Sequence, residues 1–417
     1  MERARGQLGR RYRQFRDLWT AEGPSGITDR VRKVAADWLA PKNVIMPVCR
    51  ADVLAADLAQ PFQPVIPKVT PGEQVIVNWV VIPGGPRSGG YTTIFRIIRY
   101  LEAHGYLNRV YFYNVYRADH LYFESVVRNF YGFKGCVARL EEGMLDAHAV
   151  VATSWATAYP VFNSRCAGKR CYFVQDFESY FYPTGALSFL AENTYRMGFH
   201  AITAGSWLAQ KLRAEFGMSA ESFEFGSDTS CYRRLENSRR CGVVFYARPE
   251  AARRGFELGL MAIEIFAARH PEIEIHFYGA KMGKLPFNYT DHGTIAPEEL
   301  NAIYNRCYAG LSLSLTNASL VPHEMLAAGC IPIVNDAVHN RIVLDNPFVR
   351  YAPPYPAALA SELEELVMTR DFDSLSRVAA ASVRGASWDD AGATVDGIFR
   401  RALKVSPKAE QDSVGVS

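Results

Sequence analysis

The stretch "AGLSLSLTNASLVPHEMLAAGCIPIV", residues 309–334, consists of two short apolar segments joined by a polar turn and a short helical segment. Short apolar runs bounded by turn residues are typical of strands that are buried on both faces of a sheet. Pro322 suits the first turn of a helix, and Gly329 suits the residue that follows its end. The stretch therefore predicts a strand, a short helix and a second, parallel strand.

The same alternation continues on both sides of this stretch. From Gln74 onward, apolar segments such as "QVIVNWVVI" and "KRCYFVQD" alternate with amphipathic segments such as "YTTIFRIIRYLEAHG". A polar segment without periodicity at 227–242 interrupts the pattern, which restarts at "VVFYA". We therefore predict an α/β protein with two Rossmann-like parallel-sheet domains that face each other across a cleft.

Changes in composition predict four segments. Residues 1–70 begin Arg-rich and end Pro-rich, and we predict a helical N-terminal appendage there. The first Rossmann-like domain is predicted at 71–228 and the second at 229–385. A C-terminal helix with a loose tail is predicted at 386–417.

The composition limits the class of protein. The chain has 417 residues, of which 49% are apolar, so it can form two ordinary hydrophobic cores. Its net charge of 46 − 43 = +3 argues against a protein that binds nucleic acid mainly by neutralising phosphates. The eight cysteines are scattered without a C-x-x-C pair, which indicates reduced thiols and a cytoplasmic protein. No segment has the length and apolarity of a membrane-spanning helix, so we expect a soluble or peripheral protein.

A glycine-dense loop follows the first predicted strand and precedes a helix, within "VVIPGGPRSGGYTTIF" at 80–95. Gly89 and Gly90 therefore belong at the carboxyl edge of the sheet, where open α/β sheets bind ligands. Their spacing does not match the dinucleotide fingerprint G-x-G-x-x-G. A loop that needs glycine only for its turns is the alternative interpretation.

Three arginines, Arg248, Arg253 and Arg254, lie between the first strand and the first helix of the second predicted domain. Guanidinium groups offer paired planar donors that match a diphosphate. We interpret this loop as a phosphate-binding site, with merely solvated arginines as the alternative.

A single carboxylate, Glu324, falls in the first turn of the short helix predicted in the opening stretch. A carboxylate there can stabilise the helix end by its charge. It can also accept two hydrogen bonds from a ribose diol. Both interpretations stay open on the residues alone.

Two further carboxylates, Asp176 and Glu178, follow a predicted strand and begin the aromatic-rich segment "DFESYFYPTG". Acids and aromatic rings at a cleft are typical of sugar binding, although aromatic residues this frequent also fill cores. No histidine or cysteine stands at ligand spacing nearby, so we predict no metal site and no cofactor.

Several of these motifs resemble a known family. The segments "ARPEAARRGFELGL" and "AGLSLSLTNASLVPHEMLAAGCIPIV" resemble the donor-binding domain of the retaining, two-domain (GT-B) glycosyltransferases of family 4. The segment "YFVQDFESYFYPTG" is similar to WsaF-like rhamnosyltransferases, which build polyrhamnose from dTDP-rhamnose. The resemblance covers roughly residues 75–370. It implies an acceptor-side first domain and a second domain that binds the nucleotide-sugar donor.

The family's motif contains two glutamates, and the resemblance places the second on Glu324, which would bind the nucleotide ribose. The first falls on Thr316, so this chain departs from the pattern at the position that contacts sugar hydroxyls of the donor. Threonine can still hydrogen-bond but carries no charge. The change suits a 6-deoxy sugar and argues against a glucose-type donor.

The remaining roles concern the phosphates and the acceptor. The resemblance implies that Arg248 and Arg254 cradle the diphosphate, beside the backbone N–H groups of Leu320 and Val321. Gly89 and Gly90 would lie against the donor phosphate and the acceptor.

Asp176 is our candidate for binding a hydroxyl of the acceptor or donor. The implied function is transfer of a sugar, rhamnose from dTDP-rhamnose, to a growing surface-glycan acceptor, with retention and without metal. Arginines and the helix dipole would stabilise the departing diphosphate. Two alternatives stay open: a non-catalytic carbohydrate-binding or assembly protein of the same fold, and a nucleotide-sugar epimerase.

The N-terminus interleaves apolar residues with six arginines, namely Arg3, Arg5, Arg10, Arg11, Arg13 and Arg16. Such a segment can lie on the inner, anionic face of a membrane, where a lipid-linked acceptor grows. A solvated helix or a contact for a partner enzyme are the alternatives.

Overall fold

The computed structural model describes residues 16, 19–20, 23–24, 27–28, 30–36, 38–39, 46–86, 88–226, 228, 230–236, 238–383 and 387–405. The chain divides into two compact units, Met1–Pro47 and Val48–Ser417. In the smaller unit, the described residues up to position 39 are helical. Of the six N-terminal arginines only Arg16 is described, so the membrane hypothesis for this segment falls outside the described residues. Among those described, no helix combines the length and the apolar character that a membrane span needs.

The larger unit contains two parallel sheets. In its described part the first sheet has seven strands: β1 (Val75–Val81), β2 (Tyr106–Phe112), β3 (Cys136–Arg139), β4 (Ala149–Ala152), β5 (Lys169–Val174), β6 (His200–Ala204) and β7 (Ala220–Phe223). Their order is β3-β2-β1-β4-β5-β6-β7, and every neighbouring pair is parallel. The helices around it are α1 (Arg50–Ala55), α2 (Gly89–Ala103), α3 (His120–Asn129), α4 (Trp155–Asn163), α5 (Ala186–Asn193) and α6 (Ser206–Phe216).

The second sheet repeats this plan. Its strands in the described ranges are β8 (Gly242–Tyr246), β9 (Glu274–Tyr278), β10 (Thr290–Asp291), β11 (Cys307–Leu311), β12 (Ile331–Asn335) and β13 (Arg350–Ala352), in the order β10-β9-β8-β11-β12-β13. Its helices are α7 (Phe256–Arg269), α8 (Pro297–Arg306), α9 (Val321–Ala327), α10 (Val338–Leu344), α11 (Pro356–Val367) and α12 (Phe372–Ala381). The stretch at 309–334 thus forms most of β11, all of α9 and most of β12, and the predicted two-sheet architecture is confirmed.

Each sheet has a switch point where its strand order reverses, between β1 and β4 in the first and between β8 and β11 in the second. Ligands of open α/β sheets bind outside the carboxyl ends of the strands at such points. The glycine loop follows β1, the arginines follow β8, and the segment that contains Thr316 follows β11. The fold therefore places these three segments at the switch points.

The final helix, α13 (Trp388–Leu403), returns to the first domain. Phe399 packs edge-on against Trp79 of β1 with 6.0 Å between ring centroids, and the Tyr106 hydroxyl donates to Asp396 at 2.5 Å. The chain therefore crosses between the domains twice, once before β8 and once before α13. The predicted C-terminal helix is present, but the sequence did not indicate that it completes the first domain.

A glycine on α13 makes this docking close. A Cβ atom added at Gly392 would lie 2.2 Å from Cγ of Tyr100 on α2. We expect Gly392→Ala to reduce the free energy of unfolding by about 1–3 kcal/mol in chemical denaturation, because the ring must move. The control is Gly397→Ala on the same helix, where the new methyl meets only the end of the Arg401 side chain at 3.2 Å. That variant is expected to gain roughly 0.5–1 kcal/mol, and equal effects of the two would contradict the packing.

Candidate active site

Loops at the carboxyl edges of the two sheets meet in the cleft. The side-chain amide of Asn317, after β11, donates to the backbone oxygens of Gln175 at 2.8 Å and Ala204 at 3.3 Å. Gln175 follows β5, and Ala204 ends β6. Asn317 is buried, so these bonds hold the loop of the second domain against the edge of the first. The candidate site is therefore built from both domains.

Asp176 lies in this contact, with a side chain that is 13% exposed. Its Oδ2 is 3.6 Å from Nε of Arg253, and its Oδ1 accepts from the backbone N–H of Phe177 at 2.9 Å. Burial raises the pKa of Asp176, while the charge of Arg254 and the neighbouring hydroxyl of Thr316 oppose that rise. Asp176, Thr316 and Arg254, which were predicted from three separate stretches, therefore share one location.

The two adjacent arginines reach in different directions. Arg254 donates from Nη1 to the hydroxyl of Ser314 in its own domain at 2.8 Å. Arg253 crosses to the first domain, where its guanidinium lies 4.4 Å from the ring centroid of Phe181. Burial lowers the pKa of Arg254, and Asp176 opposes that change. An arginine side chain nevertheless stays charged, so the pair presents two cations beside one carboxylate.

Arg248 lies at the rim of this cluster. Its guanidinium donates to Glu250 and, at 3.1 Å, to the hydroxyl of Tyr246. Arg248 thus lies at the sheet edge where it was predicted. Its described hydrogen-bond partners, however, come from the end of β8 and the loop that follows it, and not from the first domain.

Glu324 faces a cavity of about 380 Å³ between the domains. This volume falls within the range of small-molecule sites. The carboxylate accepts no hydrogen bond from any described residue, so it does not cap α9 by hydrogen bonding. Burial raises the pKa of Glu324 to about 7, and the charge of Arg96 opposes that rise. The other lining residues include Gly89, Thr92, Asp228, Tyr232, Leu320, His323 and Trp388.

The predicted backbone contacts lie at the same place. The N–H groups of Leu320 and Val321, where α9 begins, donate to no acceptor in the described part of the chain. Gly89 lines the cavity that contains Glu324. The carbonyl of Gly90 accepts from the amide of Gln175 at 3.2 Å. Both glycines lie at the cleft, and only Gly89 is among the residues that line this cavity.

The loop at 312–323 carries an unusual concentration of buried polar atoms that have no described hydrogen-bond partner. A buried polar group without a partner costs about 1–3 kcal/mol, so such groups are uncommon away from functional sites. Their clustering here is typical of a surface that hydrogen-bonds a polar ligand. They are the hydroxyls of Ser312, Thr316 and Ser319, Oδ1 of Asn317 and Nδ1 of His323.

Glu178, the second carboxylate of the segment that begins with Asp176, has a structural partner beside the site. Its Oε2 accepts from the backbone N–H of Trp155 at 2.8 Å, where α4 begins. Burial raises the pKa of Glu178 to about 8. Within the described ranges, no group of three or more His, Cys, Asp or Glu side chains is arranged to hold a metal ion.

Sequence patterns missed Arg96, Asp228 and Trp388, which line the cavity beside Glu324. They come from α2, the first crossing and the start of α13, respectively. No local motif marks any of them, because their proximity arises only when both domains and both crossings are assembled.

Two Rossmann-like domains with facing carboxyl edges define the GT-B fold class. TarM has this fold, with a TM-score of 0.65 over 79% of this chain and 100% of that chain, at 7% identity. The pneumococcal O-GlcNAc transferase GtfA, solved in complex with UDP and GlcNAc, has a TM-score of 0.60 over 79% of this chain and 99% of its own, at 9% identity. At these identities the likeness shows the fold alone.

Sequence comparison narrows the class. Residues 241–364 match the family described as WsaF, C-terminal domain. The O-antigen biosynthesis protein RfbC of Myxococcus xanthus is 33% identical over 263 residues, which are 61% of this chain and 20% of that protein. Residues 241–364 are therefore similar to the WsaF C-terminal domain, within a chain that has the GT-B fold, and the chain matches about one fifth of the length of RfbC. Membership of family 4 and retention stay predictions.

Proposed function

We propose that this chain is a glycosyltransferase that moves a sugar from a nucleotide diphospho-sugar to the acceptor of a growing surface glycan. The observation that carries the proposal is that Asp176, Arg253 and Arg254 meet at the facing edges of the two sheets. The name of RfbC, an O-antigen biosynthesis protein, supports a glycan product. The UDP in the GtfA complex supports a nucleotide in a fold of this kind.

In the proposed complex the nucleoside occupies the cavity at Glu324, and the carboxylate accepts hydrogen bonds from the ribose diol. The diphosphate extends along the start of α9, where the N–H groups of Leu320 and Val321 are free of described acceptors. Arg254 and Arg248 supply its counter-charge. The sugar then lies near Asp176.

The chemistry proposed is displacement at the anomeric carbon with retention. The bond from that carbon to the diphosphate oxygen breaks, and a bond to the acceptor oxygen forms. The acceptor's proton passes to the departing diphosphate, whose added charge Arg253 and Arg254 stabilise. Charged donors held in advance at the point where charge develops supply this kind of catalysis without a metal.

The donor sugar proposed is rhamnose, carried as dTDP-rhamnose. Thr316 is buried beside Asp176, so one carboxylate and one neutral hydroxyl lie together at this part of the site. A second carboxylate at position 316 would repel Asp176 in a buried environment. A 6-deoxy sugar has one hydroxyl fewer to bind, which suits this reduced set of charged acceptors.

The test is incubation of the full chain with dTDP-rhamnose, UDP-glucose and UDP-GlcNAc, with and without a rhamnose-containing acceptor. We expect release of dTDP and an extended acceptor, at a rate that an excess of EDTA does not change. Glycan binding without turnover would favour the non-catalytic alternative. An altered nucleotide sugar formed without acceptor would favour the epimerase. No response to any nucleotide would refute the proposal, and a rate abolished by EDTA would refute metal independence.

A further inference from the structure

The two chain crossings between the domains meet at one arginine. Arg96 on α2 donates from Nη2 to Asp228 on the first crossing at 2.7 Å. Its guanidinium also lies 4.6 Å from the ring centroid of Trp388, at the end of the second crossing. At Gly226 an added Cβ would lie 2.5 Å from the backbone nitrogen of Trp388, so the crossings are in close backbone contact there. Arg96 therefore joins α2 to both connections between the domains.

The same arginine lines the cavity that contains Glu324. Arg96 belongs to the first domain and Glu324 to the second. The ion pair of Arg96 with Asp228 is partly shielded from solvent, each side chain being 29% exposed. Ion pairs with limited exposure are screened less by salt than surface pairs. The charges of Arg96 and Asp228, which lie where the two crossings meet, therefore act on the Glu324 carboxylate.

We propose that Arg96 is a positioning residue that links Glu324 to the two interdomain crossings, so that a nucleotide bound at Glu324 stabilises one arrangement of the domains. A rotation of the domains about the two crossings changes the distance between Arg96, in the first domain, and Glu324, in the second. A ligand shifts such an equilibrium only if it interacts differently with the two arrangements. Arg96 supplies that difference, because its charge reaches the carboxylate that binds the ligand. The identity of the ligand rests on the proposed function.

The charged and titratable groups near Glu324 determine how the stability of the fold changes with pH. Arg96 favours its ionised form, and Asp228 disfavours it. The phenols of Tyr232, Tyr278 and Tyr304 interact with its charge, and the adjacent His323 imidazole has a pKa lowered by burial to about 4 and stays neutral. The pKa of folded Glu324, about 7, is above its ordinary 4.5. As pH rises from about 4.5 to about 7, the free energy of unfolding therefore decreases, because the folded protein must ionise a buried carboxyl group. The charge of Arg96 reduces this loss of stability.

A double-mutant cycle tests the link without any ligand. The variants are Arg96→Gln, Glu324→Gln and the double variant, with unfolding measured in denaturant near pH 8.5 and near pH 5.5. We expect a coupling of about threefold or more in the unfolding equilibrium constant at the higher pH. We expect none at the lower pH, where Glu324 is protonated. Equal coupling at both values, or none at either, would overturn the link.

A matched pair provides the control. Arg341 pairs with Asp336 and stacks on Tyr351 at 4.6 Å, the same two contacts in a place outside the cavity. Arg341→Gln is expected to show no coupling to Glu324→Gln at either pH. Arg96→Lys is the second variant, should Arg96→Gln fail to fold. It keeps the charge and should keep the coupling, but it loses the planar group that stacks on Trp388.

The domain arrangement is read by small-angle scattering with and without dTDP and UDP. We expect nucleotide to change the radius of gyration of the wild-type protein and of Arg341→Gln, but not of Arg96→Gln at the same degree of saturation. An equal change in Arg96→Gln, or none in a nucleotide-saturated wild type, would overturn the proposal. A wild type that binds no nucleotide would instead refute the proposed function, while the double-mutant cycle still decides whether Arg96 and Glu324 are linked.

Discussion

Replacing Glu324 with glutamine is expected to raise the dissociation constants for dTDP and UDP about tenfold or more. The carboxylate would accept charge-assisted hydrogen bonds worth roughly 1.5–3 kcal/mol each, and the neutral amide replaces them with weaker ones. The measurement is titration calorimetry near pH 8. At this pH the variant should not be less stable than the wild type, because the neutral amide replaces a buried, ionised carboxylate. Burial raises the pKa of that carboxyl group to about 7.

The same carboxylate predicts a pH dependence. Below about pH 7 wild-type Glu324 becomes protonated, so nucleotide affinity should fall as pH decreases through that value. Glu324→Gln should lack this component of the pH profile, whereas titration of the nucleotide phosphates affects both proteins equally.

Glu299→Gln is the control for Glu324→Gln. Glu299 also lies in the first turn of a helix, where it accepts from the backbone N–H of Ala296 at 3.3 Å. Its replacement should cost a little stability and leave nucleotide affinity unchanged. If Glu324→Gln behaves like this control, Glu324 is a structural residue and does not bind the ribose.

Replacing Arg254 with alanine is expected to reduce kcat by about 10²–10³-fold, with the donor KM also raised. Removal of one donor that stabilises developing charge has effects of this size in other enzymes. Arg254→Lys should recover part of the rate, because it restores the charge but not the planar paired donors. The rate is measured as release of dTDP from dTDP-rhamnose in the presence of acceptor.

Arg306→Ala serves as the control for Arg254. Arg306 belongs to the same domain, is exposed and pairs with Glu274 at 2.6 Å. It should retain wild-type kcat and KM. Arg254 also donates a hydrogen bond to Ser314, so its replacement can reduce stability. The thermal midpoint of Arg254→Ala must therefore be compared with that of the wild type. A loss of rate that only follows a loss of folded protein would contradict a catalytic role.

Much of the site could be predicted because it lies at the ends of strands. Apolar runs identify parallel strands, and the residues that follow them must reach the carboxyl edge of a sheet. Arg254, Asp176 and Gly89 were predicted in this way. Glu324 was predicted from the expected start of α9. Local patterns were sufficient because strand and helix ends are local properties.

Other features had no local signal. Arg96 and Asp228 are 132 positions apart, and nothing in either segment indicates their ion pair. The attachment of α13 to the first domain is equally invisible, since an amphipathic helix does not show which sheet it covers. The chemical state of Glu324 depends on burial from both domains, so no reading of its own segment predicts a pKa of about 7.

By itself the sequence determined two parallel sheets, the loops at their carboxyl edges and the charged side chains on those loops, because hydrophobic periodicity and turn residues act over a few positions. Only the tertiary structure decided that Thr316 lies beside Asp176 and that Glu324 shares a cavity with Arg96. These contacts join segments that are far apart in the chain. They depend on the angle between the two domains and on burial at the cleft, which long-range packing sets.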